Sequence, residues 1–250
     1  MNTLDQIVFI SPLVSLFCLA AVFVAAFARG FAGFGFTLLS IMSLSFVLPL
    51  KTIVPAMVIL EIAAGIKLLP AIWRHVHWRS IRVLVMSSVA ATPIGAYLLA
   101  KIPGETVKVV LAVLTMACCL VLISGYKLQK MPSTLQTAAT GAGAGLLNGS
   151  LGLGGPPVIV FFLGSPLALE AGRASIIAAF LAMDVAALPA FWMLDLFTVQ
   201  ALQLGVMSLP VLVVGVWCGS RMVAGMSEIV ARRIIIVLLS IMAVGSLLGG

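Results

Sequence analysis

Apolar residues fall in long blocks separated by one or a few glycine, proline or charged positions. In the first half the blocks are 8–28, 36–49, 52–72, 81–100 and 105–125; in the second they are 134–149, 156–165, 171–192, 199–220 and 229–248. A helix needs about 20 apolar residues to cross the hydrocarbon core, so most blocks have crossing length. Two do not. The 156–165 block rises only ~15 Å, half of the core, and 36–49 is also short. The pattern predicts an all-α polytopic membrane protein with broken helices.

The two halves repeat. Gly30-Phe31-Ala32-Gly33-Phe34-Gly35 lies over Gly149-Ser150-Leu151-Gly152-Leu153-Gly154, Pro93-Ile94-Gly95 lies near Val213-Val214-Gly215, and Lys101 lies over Arg221. The offset stays near 120 residues and the order is kept. The division is a first membrane repeat over 1–126, a polar linker over 127–133 and a second repeat over 134–250.

Composition narrows the class. Of 250 residues, 63% are hydrophobic and only 8% charged, against about 25% charged in soluble domains; lipid is the solvent that fits. The net charge of +7 does not point to nucleic acid, because the basic residues stand singly and form no stripe. Met1–Gln6 contain no Lys or Arg, so no cleavable signal peptide is expected. The cysteines at 18, 118, 119 and 218 lie in apolar runs without CxxC spacing and read as small buried hydrophobes.

Charge gives orientation. Arg74, Arg79 and Arg82 flank one loop, Lys127 and Lys130 the linker, and Arg221, Arg232 and Arg233 the last loop; the positive-inside bias places all three in the cytoplasm. The loops at 101–105 and around Asp195 then face outward. This works only if 134–165 enters and leaves on one side, as a hairpin or re-entrant pair, with 8–49 its counterpart. Each repeat is then a broken hairpin plus three crossings. Three is odd, so the repeats are inverted, a common transporter plan, and both termini face the periplasm of a bacterial inner membrane. Tags at residues 77 and 129 should report the cytoplasm and a tag at 195 the periplasm. A cytoplasmic signal from 195 would sink this topology.

The glycine joints carry the chemistry. Gly154 and Gly155 open an apolar helix with Pro156 and Pro157 in its first turn, where a missing N–H costs little. Glycine lets the chain leave helical geometry. Irregular backbone at membrane depth needs protein or a wet cavity around it, and a helix N-terminus there suits an anion. Gly30, Gly33 and Gly35 make the first-half joint. The competing reading is close helix packing through small residues.

The joint at 149–157, its degenerate twin at 30–36, and Arg173-Ala174-Ser175 resemble the sulfite exporter TauE/SafE family. The resemblance covers nearly the whole chain. It implies transport of sulfur oxyanions or organosulfonates, and sometimes of other small organic anions. It implies no cofactor and leaves direction open.

Charges inside apolar blocks complete the candidate set. Arg29, the only Arg or Lys in the first 50 residues, adjoins Gly30. An intramembrane charge is a functional candidate by default; snorkelling to an interface is its bland alternative. Its counterpart is Asn148. Lys51 and Arg173 begin equivalent helices and either close the site or anchor topology. The substrate-binding candidates are therefore Arg29, Gly30, Gly33, Gly35, Asn148, Ser150, Gly152, Gly154, Gly155, Lys51 and Arg173. Glu61 and Asp184 lie in equivalent helices and are candidates for proton coupling; pairing with Lys67 or Arg29 is their alternative. His75 and His77, flanked by Trp73 and Trp78, lack a third metal ligand nearby in sequence and read as an interfacial loop. No metal is expected.

An enzyme is disfavoured. The only histidines are 75 and 77, in a loop, and there is no HExxH. The expected function is a secondary transporter of a small anion, working by alternating access in the lipid bilayer. An anion channel, or a carrier of small carboxylates, is the alternative. Oligomerisation is left open.

Overall fold

A computed structural model describes residues 12–101, 128–151 and 154–224, with isolated helical positions at 113, 230 and 237. The expected spans 105–125 and 229–248 fall almost wholly outside the described residues. So do the candidate Gly152, and Cys118, Cys119, Lys127, Arg232 and Arg233.

The described residues are helical, and no strand occurs among them. α1 spans Pro12–Ala32, α2 Phe36–Leu44, α3 Leu50–Ile72 and α4 Trp78–Lys101, with a 3-10 turn at Trp73–His75 before α4. Then come α5 at Thr134–Leu151, α6 at Gly155–Gly164, α7 at Leu169–Met193 and α8 at Val199–Ala224. Five are long and apolar enough to cross a membrane, over Leu13–Phe31, Leu50–His75, Trp78–Leu98, Leu169–Met193 and Val199–Met222. α2 and α6 have 9 and 10 residues, so each reaches only about half-way through the core. The short blocks are thus helices in their own right.

The order of lengths recurs: 21, 9, 23 and 24 residues in α1–α4, then 18, 10, 25 and 26 in α5–α8. Packing recurs with it. α1 lies along α8 and α4 along α5, while α3 meets α8 and α4 meets α7. Exchanging the halves maps each of these pairings onto its partner, and α3 meets α7 directly.

Small residues make the two long contacts close. A Cβ on Gly30 would overlap the Val216 carbonyl oxygen of α8; one on Gly149 would overlap the Thr92 carbonyl oxygen of α4. Within these contacts Gly215 and Gly219, and Gly141, Gly145 and Gly149, recur every fourth position, so they share a helix face and let backbones approach.

The outward faces are apolar: Leu13, Leu16, Phe17 and Val24 of α1 and Val206, Met207, Val213 and Val214 of α8 are exposed. Apolar exposure along whole helices is what a lipid solvent favours. Inward, Phe31 and Phe34 of the first joint sit fully buried in a cluster built mostly by α6 and α7, with Val158, Phe162, Ile176 and Phe180. The halves therefore interlock at the joint.

Local caps follow from sequence. Ser133 and Gln136 form a reciprocal capping box on α5: the Ser133 amide donates to Gln136 Oε1 at 2.9 Å, and the Gln136 amide donates to Ser133 Oγ at 3.3 Å. This satisfies two otherwise orphaned donors. The linker also docks, as the Leu128 amide donates to the Gly164 carbonyl at 2.7 Å. In the α3–α4 connection, the His77 amide donates to Ser175 Oγ of α7 at 2.9 Å, and Trp73 and Trp78 pack with ring centroids 4.3 Å apart.

Candidate functional site

The first joint is narrower than its glycine motif. Arg29 and Gly30 are still helical, in the last turn of α1, and the chain breaks only at residues 33–35. Gly33 and Gly35 take φ of 87° and 93°, the left-handed region in which a side chain is strained. Gly35 is the N-cap of α2 and gives no side-chain cap. The first-turn amides of α2 therefore have no intrahelical partner.

Two guanidinium groups converge on this joint. Arg29 is 0% exposed, which excludes the snorkelling alternative. Its Nη1 donates to the Gly33 carbonyl at 2.9 Å, and its guanidinium lies over the Phe180 ring, 5.3 Å from the centroid. Arg173 comes from the first turns of α7, and its Nη2 donates to the Gly30 carbonyl. Both thus bind carbonyls at the partially negative end of α1. Each keeps a buried Nε–H without a partner. Arg173 lies within electrostatic reach of Arg29.

A carboxylate answers Arg29. Glu61, buried midway along α3, places Oε2 2.8 Å from Arg29 Nη2. The two atoms are close but not aligned as a hydrogen bond, so charge holds the pair. Glu61 Oε1 accepts from Thr37 Oγ1 of α2 at 2.8 Å. The carboxylate therefore ties α1, α2 and α3 together.

The second joint repeats the plan with neutral groups. Asn148, in the last turn of α5, is buried; its Nδ2 donates to Asp184 Oδ1 at 3.1 Å, and its Oδ1 accepts from the Gly154 amide at 3.3 Å. The Gly154 amide, which the sequence leaves without a partner, thus has one inside the protein. Gly154 is not left-handed, with φ −60°, and a Cβ there would have to push aside the Met183 methyl, the far end of a flexible side chain. Asp184 is buried in α7 within electrostatic reach of Glu61 and Arg29. The four charged side chains thus form one cluster, two cations against two carboxyls.

The structure places the remaining candidates as follows. Gly30 and Gly149 lie at helix contacts, and the Gly30 carbonyl also serves Arg173. Gly155 begins α6 with room for a Cβ, whose nearest neighbour would be Phe180 Cζ at 3.5 Å. Ser150 returns its hydroxyl to the Leu146 carbonyl at 2.7 Å. Lys51 is exposed in the first turn of α3, and Lys67 is exposed farther along it. Of the two alternative partners for Glu61, Arg29 is the one that binds it.

Sequence reasoning missed Thr37 and Phe180. Thr37 follows the joint by two residues, the only polar side chain in the first turn of α2, and that was its available signal. Phe180 carried none, since one Phe in an apolar helix looks like any other. His75 lies 3.6 Å from Glu170 at an exposed edge, and His77 Nδ1 is 3.0 Å from Ser80 Oγ. Among the described residues no group of His, Cys, Asp and Glu could hold a metal.

Broken half-length helices that bring a buried charge cluster between crossing helices define a multi-pass membrane protein of the transporter type. The family model for the sulfite exporter TauE/SafE matches residues 18–246, and the chain belongs to that family. Its members are membrane transporters of sulfur compounds. No curated protein and no solved structure matches the chain.

Proposed function

We propose that the protein is a secondary transporter that moves a small anion, a sulfur oxyanion or an organosulfonate, across the bacterial inner membrane by alternating access. The observation that carries this reading is Arg29. It is a fully buried cation with an unpartnered N–H, set at a broken helix and joined there by Arg173. A buried charge is costly unless function retains it, and a planar fork suits two oxygens of one anion. The amides of Phe36, Thr37 and Leu38 opening α2 add partial positive charge.

In this reading the substrate is held by Arg29, Arg173 and the joint backbone at Gly33 and Gly35, with Asn148, Ser150, Gly154 and Gly155 forming the opposing wall and Lys51 flanking the entry; Gly152 belongs to the same motif and lies outside the described residues. Glu61 and Asp184 carry protons. The exchange-symmetric packing supports two repeats, 1–126 and 134–250; their inversion about an axis in the membrane plane, with both termini in the periplasm, rests on the distribution of Lys and Arg.

The test is uptake of labelled sulfite, 2-hydroxyethanesulfonate and acetate into proteoliposomes, with and without a pH gradient. Saturable, gradient-stimulated uptake of the sulfur anions is expected. Non-saturable flux that ignores the pH gradient would mean a channel, and preference for acetate would mean a carboxylate carrier.

A further inference from the structure

Glu61 occupies the position that a bound anion would take. It presents one oxygen to Arg29 Nη2 at 2.8 Å and the other to Thr37 Oγ1 at 2.8 Å, in a space closed to solvent. We propose that Glu61 and the transported anion compete for Arg29, so that Glu61 must take up a proton before Arg29 can take up substrate. The inference rests on the anion-transport reading above and fixes its coupling.

Charge balance sets the stoichiometry. Glu61 pairs with Arg29 across 2.8 Å. A monoanion arriving beside that intact pair would add an uncompensated buried negative charge, which is strongly disfavoured. A monoanion arriving with one proton on Glu61 leaves the net charge of the cluster unchanged. Protonation removes the ion pair from Arg29, and the anion replaces it on the same guanidinium. The cargo step is then electroneutral, one proton per monoanion. Linkage makes the effect reciprocal: the anion favours the protonated carboxyl as much as the proton favours the anion.

Among the described residues, these are the charged groups around Glu61. On α1 it faces Arg29 and on α2 the neutral Thr37. From α7 come Asp184 and Arg173. The only charged residue of α8 is Arg221, exposed in its last turn. Arg74 and His75 of the 3-10 turn are exposed, as are Lys51 and Lys67 of α3 itself.

The experiment uses the purified full chain in lipid nanodiscs, with 2-hydroxyethanesulfonate as probe because a sulfonate stays monoanionic at every working pH. Parent affinity should fall as pH rises, by about tenfold per pH unit where binding takes up one proton. Titration calorimetry in buffers of different ionisation enthalpy should count one proton taken up per anion. Glu61→Gln should bind at least about tenfold tighter near pH 8, lose the pH dependence, and carry flux that responds to a potassium diffusion potential, which parent flux should ignore. Equal or weaker binding by Glu61→Gln overturns the competition. A proton count of zero in the parent overturns it too, and that measurement decides alone if the variant does not fold. Binding by the parent with no proton uptake leaves the anion-transport reading standing; failure of 2-hydroxyethanesulfonate, sulfite and acetate all to bind the parent overturns both.

Discussion

Arg29→Gln is expected to lose both stability and substrate, and the two losses can be separated. The substitution leaves Glu61 buried beside Thr37 with no cation. Breaking a buried pair from one side costs about 3–5 kcal/mol, which for a chain this long lowers the unfolding midpoint by roughly 10 °C. Pairing it with Glu61→Gln removes the stranded charge and should restore most of that midpoint. Anion binding should not return in the double variant, because the fork is gone; the loss is about 2 kcal/mol or more, near thirtyfold. Arg29→Lys keeps charge without the planar fork and should bind weakly while retaining some transport. Thermal unfolding in nanodiscs and sulfonate binding on the same samples read the two effects. Parent-like affinity in Arg29→Gln would make Arg29 a structural clasp for the end of α1.

Gly30→Val is expected to block assembly, while Gly155→Ala should be well tolerated. Both glycines belong to joint motifs, yet their surroundings differ. At Gly30 a Cβ overlaps a backbone carbonyl of α8, and backbone cannot rotate away as a side chain can. Overpacking ordinarily costs about 1–3 kcal/mol; forcing α1 and α8 apart along their whole contact should exceed that. It would also displace the Gly30 carbonyl from Arg173. At Gly155 the nearest atoms stand 3.5 and 3.6 Å from a built Cβ, ordinary contact, and Ala should gain about 0.4–1 kcal/mol from the unfolded state. Yield of folded protein in membranes, with unfolding midpoints, checks both. A normally folded Gly30→Val would mean that the α1–α8 approach is looser than the structure has it.

Much of this was legible because bilayer physics is written in long, regular patterns. Block lengths fix the crossing helices, and the short blocks at 36–49 and 156–165 mark the half-helices α2 and α6. Arg29 stood out because a lone cation in an apolar run is costly. The position of each break was harder. Glycines at 30 and 149 look like those at 33 and 35, yet the first two relieve helix contacts and the last two turn the chain. Only the neighbour across the interface distinguishes them, and that neighbour lies far off in sequence. Partner choice was equally hidden: Glu61 could answer Lys67 or Arg29 until the fold brought the last turn of α1 within side-chain reach of α3. The Asn148–Asp184 bond, spanning 36 residues, depends on the same tertiary information.

A small anion is expected at the joint between α1 and α2, under Arg29 and Arg173. A crystal structure of the protein with 2-bromoethanesulfonate, the bromine located by its anomalous signal, would show whether it is there. The expected result is a peak beside the α1–α2 joint, with the sulfonate oxygens on Arg29 and Glu61 no longer paired with it. A sulfonate bound only elsewhere, at the exposed arginines of the α3–α4 connection for instance, with the Arg29–Glu61 pair intact, would contradict it.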